Sequence, residues 1–232
     1  MLLRLFRSGQ IDIMTVLMYI LSSLIVIFLV LPLHECAHGF VASKLGDDTA
    51  KRQGRITLDP LAHIDYMGAL LLLLIGFGWA KPVPINPRRF KNPKVGMALT
   101  ALAGPMSNFL AAVCAALLRN GAIVILLKNN IYPFAGFWFY LLVFLEFLVT
   151  INIGLAVFNF IPIPPLDGSK ILMAFLPNKT ILWIAQREQM ISIVLFVVIM
   201  MGGLNGILNL ANGYMSDFVN WLTWQPFAAA FN

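Results

Sequence analysis

Long apolar runs constrain this chain more than any other feature. A helix needs about 20 apolar residues to cross the hydrocarbon layer of a bilayer, and irregular backbone is not tolerated facing lipid. Four runs reach that length, at residues 13–41, 95–118, 137–161 and 190–210. Only 11% of all residues are charged, against about a quarter in soluble domains. The sequence therefore predicts an all-α integral membrane protein with about four transmembrane helices.

Two further segments are apolar without being long enough to span. Residues 67–79 are interrupted by three glycines, which favours a short re-entrant or β-like membrane segment. With residues 81–85, this segment is our candidate for an edge strand that receives an extended substrate. Residues 214–232 mix aromatic and polar side chains, which is typical of an interfacial tail. We expect one membrane-embedded domain over residues 1–232, with its core motifs within 33–168.

The formal net charge of +6 comes from basic residues that stand in blocks between the apolar runs. This pattern fits the positive-inside bias and anionic lipid headgroups better than nucleic acid. Nine lysines and arginines lie within residues 44–94, so the loop after the first span is predicted to be cytoplasmic and both termini outside. Arg4 and Arg7 argue for the opposite orientation.

The end of the first apolar run carries the pattern His34-Glu35-Cys36-Ala37-His38. On a helix, His34 and His38 lie one turn apart on the same face and can reach one zinc ion, with Glu35 beside them to deprotonate a water. The alternative is a pair of histidines near the lipid headgroups. Cys36 points away from the pair and is not expected to bind the metal.

A catalytic zinc site usually has three protein ligands, so a third residue is required. The candidates are His63, Glu146 and Asp167. Three prolines within residues 162–165 must end the third span, which leaves Asp167 near the membrane surface on the same side as the histidines. A structural or supporting role is favoured for His63. Glu146 is either a carboxyl group bonded to another span or part of a path for water or substrate.

Three elements of the chain resemble the site-2 protease family of intramembrane zinc metalloproteases. His34 to His38 match its H-E-x-x-H element, 104–108 match G-P-x-x-N, and 159–168 match N-x-x-P-x-P-x-L-D-G. The resemblance implies that zinc is bound by His34, His38 and Asp167 and that Glu35 is the general base. It also implies a substrate or oxyanion role for Asn159, and we extend that role to Asn108. The alternatives are a helix cap for Asn159 and a bond to a neighbouring helix for Asn108.

The function implied by the resemblance is cleavage of a peptide bond in or near a transmembrane helix of a protein substrate. The enzyme would be a multi-pass protein of the cell membrane with its active site toward the cytoplasm. The alternative is a non-catalytic membrane zinc-binding protein or a pseudoprotease that sequesters helices. Glu35 separates the two hypotheses, because a pure binding site has no need of a base.

Overall fold

The computed structural model describes residues 12–75, 78–132 and 136–230, and this part of the chain contains helices but no strand. Short helical turns lie at Thr49–Arg52, Pro60–His63, Pro87–Arg89 and Gln225–Ala230. The longer helices are α1 (Ile13–Lys44), α2 (Tyr66–Ile75), α3 (Pro93–Lys128), α4 (Gly136–Asn159), α5 (Asp167–Met173), α6 (Asn178–Ala185), α7 (Glu188–Met200) and α8 (Asn205–Trp224).

The predicted all-α membrane architecture is confirmed. Helices α1, α3 and α4 are long and apolar enough to cross a membrane, and α6 with α7 qualifies as a fourth, broken span bent by 68°. The predicted fourth span at 190–210 is wrong in its bounds, because α7 ends at Met200 and α8 begins at Asn205. Gly202 lies between them at a φ of 77°, a left-handed conformation that favours glycine and ends the helix.

The first span contains one wide turn, the π-helical segment Val26–Val30. It lies just before Pro32, which has no N–H to give to the carbonyl of Phe28 one turn earlier. A π turn is a common way for a helix to absorb such a lost hydrogen bond. The helix continues beyond it to Lys44, so the proline does not end the span.

Helices α3, α4 and α8 share one apolar core, in which small side chains of α3 allow close approach. The tail expected at the interface is therefore helical and packed: residues 214–224 belong to α8, and Val219 and Thr223 are fully buried. Residues 231–232 lie outside the described part. The buried members of this core are Ala112, Ala115, Ala116, Val149, Ile153, Val157 and Val219.

The segment expected to be re-entrant or β-like is mainly the helix α2, ten residues long. Residues 76–77 lie outside the described part, and extended backbone follows. Among the described residues the only β pairing is one antiparallel bridge, between Ile64 and Ala80. Residues 81–86 are assigned neither helix nor strand, and the role of this segment as an edge that receives an extended substrate stays a prediction.

Candidate metal centre and active site

The two histidines of α1 direct their Nε2 atoms toward the same position. Nε2 of His34 and Nε2 of His38 lie 3.1 Å apart, and both side chains are buried. Nδ1 of His38 lies 2.7 Å from the carbonyl oxygen of Thr100 and donates its hydrogen there. In a neutral ring this leaves Nε2 of His38 with a free lone pair.

Asp167 reaches the same position from a distant part of the sequence. α4 ends at Asn159, the proline-rich segment turns the chain, and α5 begins at Asp167. Oδ2 of Asp167 lies 3.3 Å from Nε2 of His34 and 3.1 Å from Nε2 of His38. Gly168 permits the tight return, because a Cβ there would lie 2.3 Å from the carbonyl oxygen of Phe160.

The three converging atoms fit a zinc ion. His34, His38 and Asp167 each offer one ligand atom, and these atoms are 3.1–3.3 Å apart. Ligand atoms at 2.0–2.1 Å in a tetrahedral zinc site are separated by about 3.3 Å. With both Nε2 atoms unprotonated, two ring nitrogens and a carboxylate oxygen are all acceptors, and a cation bound between them would stabilise this arrangement.

Gly104 of α3 leaves the space that such an ion requires. A Cβ at this position would lie 2.4 Å from Nε2 of His38 and 2.5 Å from Nε2 of His34. Any other residue would therefore fill the point toward which both rings are directed. The glycine of the G-P-x-x-N element thus has a local steric reason to be there.

Asn108 lies behind His34. Its side chain is fully buried, and Nδ2 lies 3.1 Å from Nδ1 of His34. A His34 that binds metal through Nε2 carries its hydrogen on Nδ1 and needs an acceptor. Oδ1 of Asn108 has no other hydrogen-bond partner and takes that role when the amide is rotated by 180°. The geometry therefore places Asn108 against the ligand and away from the substrate space.

The Glu35 carboxylate is held at the site by backbone. Its Oε2 accepts a hydrogen bond of 2.8 Å from the N–H of Val83, and both residues are buried. Val83 stands between Pro82 and Pro84, so its N–H is the one backbone donor of that tripeptide. The carboxylate thus has a fixed position beside the two histidines.

A cavity of about 500 Å³ opens beside these groups. Glu35, His38, Asn159 and Asp167 all line it, which brings the predicted base, two predicted ligands and the predicted oxyanion residue to one space. Nδ2 of Asn159 donates to the carbonyl of Leu155, within its own helix. Apolar walls come from α1, α4 and α7, through Leu31, Leu155, Leu195, Phe196 and Ile199.

Lys170 lines the cavity one helical turn after Asp167. Its Nζ lies 3.4 Å from Oδ1 of Asp167, the oxygen that is not shared with the histidines. Burial by itself raises the pKa of the Asp167 carboxyl. When no metal is bound and the His34 and His38 rings donate N–H hydrogen bonds to the carboxylate, those bonds and the charge of Lys170 outweigh burial and hold that pKa well below its usual range. Asp167 is therefore an anion, as a metal ligand must be.

The other candidate residues lie away from this centre. His63 is fully buried and bonds through Nε2 to the carbonyl of Thr57 at 3.0 Å. Glu146 forms an ion pair with Arg119, which also bonds Asn220 of α8 at 2.6 Å, so these groups join three helices. Neither His63 nor Glu146 belongs to the group of three ligands, and Cys36 does not either.

Sequence reasoning did not find three contacts of the site. The Thr100 carbonyl gives no signal, because any residue supplies one. The N–H of Val83 was foreseeable as the lone donor between two prolines, but its partner was not. Arg55 is one of the nine basic residues of the segment 44–94, and the sequence does not indicate that its Nη2 bonds the carbonyls of Lys81 and Pro82.

Comparisons with known proteins agree on one family. The family model described as "Peptidase family M50" matches residues 121–203. "Putative zinc metalloprotease YwhC" of Bacillus subtilis is 40% identical over 182 residues, 77% of this chain and 80% of that protein. Proteins named "Putative zinc metalloprotease Rip2", from Mycobacterium tuberculosis and Mycolicibacterium smegmatis, are 27% and 26% identical over 75% of this chain and 64% of their own lengths. No solved structure matches the chain significantly.

Proposed function

Because the chain belongs to peptidase family M50, the site-2 protease family that its motifs resemble, we propose that it is an intramembrane zinc endopeptidase. It is a multi-pass membrane metalloprotease, and its ligand set fits Zn²⁺. The observation that carries the proposal is that Glu35, His38 and Asp167 line one cavity among membrane-spanning helices, with His34 beside them in the group of three ligands.

The proposed roles follow from the positions of the side chains. His34, His38 and Asp167 would hold the zinc, which when bound would supply Lewis-acid polarisation of the scissile carbonyl and acidify a water. The Glu35 carboxylate is placed to accept a proton from the attacking water and to deliver it to the leaving nitrogen. Asn159, which also lines the cavity, turns its amide from Leu155 toward the developing oxyanion.

The position of the Glu35 carboxylate supports a hydrolytic function rather than zinc binding alone. Two histidines and one aspartate suffice to hold the metal, and a storage or carrier site gains nothing from a fourth, negatively charged residue. Glu35 is buried, which is unfavourable for a charge unless it has a partner. Its fixed position beside the ligands is explained by a catalytic role.

The cavity supports a substrate that carries both apolar and polar residues. Leucine, isoleucine and phenylalanine side chains line it, and so do Asp65, Lys81 and Lys170. A transmembrane segment near its junction with a polar loop has such a mixture of residues. Because a helix hides its carbonyls in internal hydrogen bonds, the substrate must be unwound locally before attack.

The cleavage is proposed to occur toward the cytoplasmic side. The ligands of α1 lie near its C-terminal end, next to the segment 44–94 with its nine basic residues. Basic loops are retained in the cytoplasm. The segment 160–166 and Asp167 then belong to the same side of the membrane as the histidines.

The test uses purified protein in proteoliposomes and one leucine-rich test sequence in two forms. In one form the sequence forms the end of a single transmembrane span, and in the other it is a soluble peptide. We expect cleavage of the membrane form, loss of cleavage with 1,10-phenanthroline, and recovery when zinc is added. Equal cleavage of the soluble peptide would contradict the intramembrane assignment, and insensitivity to the chelator would contradict the zinc mechanism.

A further inference from the structure

The segment that supplies the hydrogen bond to Glu35 is fixed from two directions. On one side, the N–H of Lys81 donates to the carbonyl of His63 at 2.7 Å, and Ala80 bridges Ile64. On the other side, Nη2 of Arg55 donates to the carbonyls of Lys81 and Pro82 at 2.9 and 3.2 Å. The segment is therefore held in place immediately before the N–H of Val83.

The prolines make this attachment effective. Pro82 and Pro84 each fix one φ angle, so the backbone around Val83 has few alternatives once the carbonyls of 81 and 82 are held. The Val83 side chain is placed as well, because it packs above Gly39, where a Cβ would lie 3.3 Å from its Cγ1. Gly39 follows Glu35 by one turn of α1, so the same segment contacts α1 at both positions.

A general base requires such a support more than a metal ligand does. The histidines and Asp167 are oriented by the metal and by their own hydrogen bonds, whereas a glutamate has three rotatable side-chain bonds and many rotamers. An error of about 1 Å at a reacting group lowers the rate by about 100-fold. The Val83 N–H is the one hydrogen bond found for the Glu35 carboxylate among the described residues.

We propose that Arg55 is a positioning residue, which acts through the segment 81–83 to hold the Glu35 carboxylate beside the metal ligands. Among the described residues, the hydrogen bonds of Arg55 go to backbone carbonyls and not to the metal ligands or Glu35, so its effect is carried by backbone. A planar guanidinium can bond two successive carbonyl groups with one nitrogen, whereas an ammonium group on a flexible stem holds them less rigidly. The inference rests on the proposed catalytic role of Glu35.

The experiment compares Arg55→Met and Arg55→Lys with Arg52→Met. Arg52 is an exposed arginine three residues earlier, so it controls for the loss of one positive charge in the same loop. We expect Arg55→Met to lower kcat by about 10- to 100-fold with KM and zinc content nearly unchanged. Arg55→Lys should lie between Arg55→Met and the wild type, and Arg52→Met should match the wild type.

A second measurement does not depend on activity. Hydrogen exchange at residues 81–85 reports chiefly on Lys81, Val83 and Ile85, because the prolines carry no amide hydrogen. In the metal-free protein and in the zinc-loaded protein alike, Arg55→Met should raise exchange of the Val83 amide at least tenfold, whereas Arg52→Met should not. If Arg55→Met is poorly stable, exchange of the Val83 amide is compared between Arg55→Lys and the wild type instead.

Two outcomes separate this inference from the proposed function. If Arg55→Met retains wild-type kcat and Val83 protection while Glu35→Gln is inactive, the positioning role is overturned and the protease assignment stands. If Glu35→Gln is fully active, the proposed function fails and the role of Arg55 fails with it. A rise in KM without a fall in kcat would also overturn the positioning role, because it would indicate a contact with substrate.

Discussion

Oδ2 of Asp167 lies 3.1 Å from Nε2 of His38, although one residue begins a short helix after a proline-rich break and the other lies near the end of the first span. The break between α4 and α5 is what brings the third ligand beside the histidines. A continuous α4 would carry its polar residues further along the helix axis and away from α1. The break is therefore what completes the site.

Asp167→Ala is expected to lower the affinity for zinc by more than about 100-fold, because changes behind a ligand already lower it by 10- to 100-fold. Competition with a chromophoric chelator measures the effect. Asp217→Asn, an exposed position on α8, is the control and should bind zinc as the wild type does. Unchanged affinity in Asp167→Ala would remove Asp167 from the ligand set.

Asn108→Ala is expected to lower zinc affinity by about 10- to 100-fold, since Nδ1 of His34 loses its partner. Asn152→Ala is a matched control, because Asn152 is equally buried and bonds only the carbonyl of Leu148 in its own helix. The same chelator competition applies to both. An equal loss in the two variants would indicate a general packing effect and would contradict the proposed support of His34.

Gly104→Ala is expected to abolish zinc binding, because the new Cβ would lie about 2.4 Å from Nε2 of His38. Gly154→Ala tests the same change where a Cβ meets nothing within 4 Å. Because Gly154 lies in the interior of α4, alanine there should leave zinc binding intact and stabilise the protein by up to about 1 kcal/mol. Elemental analysis and thermal unfolding give the two readouts. Normal zinc content in Gly104→Ala would show that the metal does not lie where the rings converge.

Arg119→Met is expected to lower stability by about 1–3 kcal/mol, because the buried acceptor on Asn120 and the half-buried acceptor on Asn220 lose their donor. Activity per folded molecule should not change. Arg119 lies fifteen residues beyond Gly104 on α3, which corresponds to about 22 Å along the helix. Lys128→Met, at the exposed end of the same helix, should change neither quantity. A fall in kcat without a fall in stability would instead support the alternative in which Glu146 lies on a path for water or substrate.

Local patterns in the sequence were sufficient to predict the long spans and the histidine pair. Apolar length identifies α1, α3 and α4, and helical spacing alone puts His34 and His38 on one face. The three prolines near Asp167 likewise indicate where α4 must end. Each of these features depends on residues that are close together in the chain.

Features that depend on distant partners were not predictable in the same way. The aromatic and polar residues of 214–224 predict a position at the interface, which stays a prediction, but they do not predict that Val219 is fully buried against α3 and α4. Nothing within α8 indicates those partners. The hydrogen bond between Val83 and Glu35 also joins segments far apart in sequence. Gly202 was visible in the sequence, but the apolar residues on both sides of it led to the prediction of one continuous span at 190–210.

The most direct measurement is cleavage of a single-span substrate by purified Glu35→Gln in proteoliposomes, with bound zinc determined in the same sample. The substituted amide keeps the size of the side chain but cannot accept the proton of a water as a carboxylate does. We expect wild-type zinc content and a rate lowered by at least about 100-fold. Zinc retention with wild-type cleavage would contradict the account.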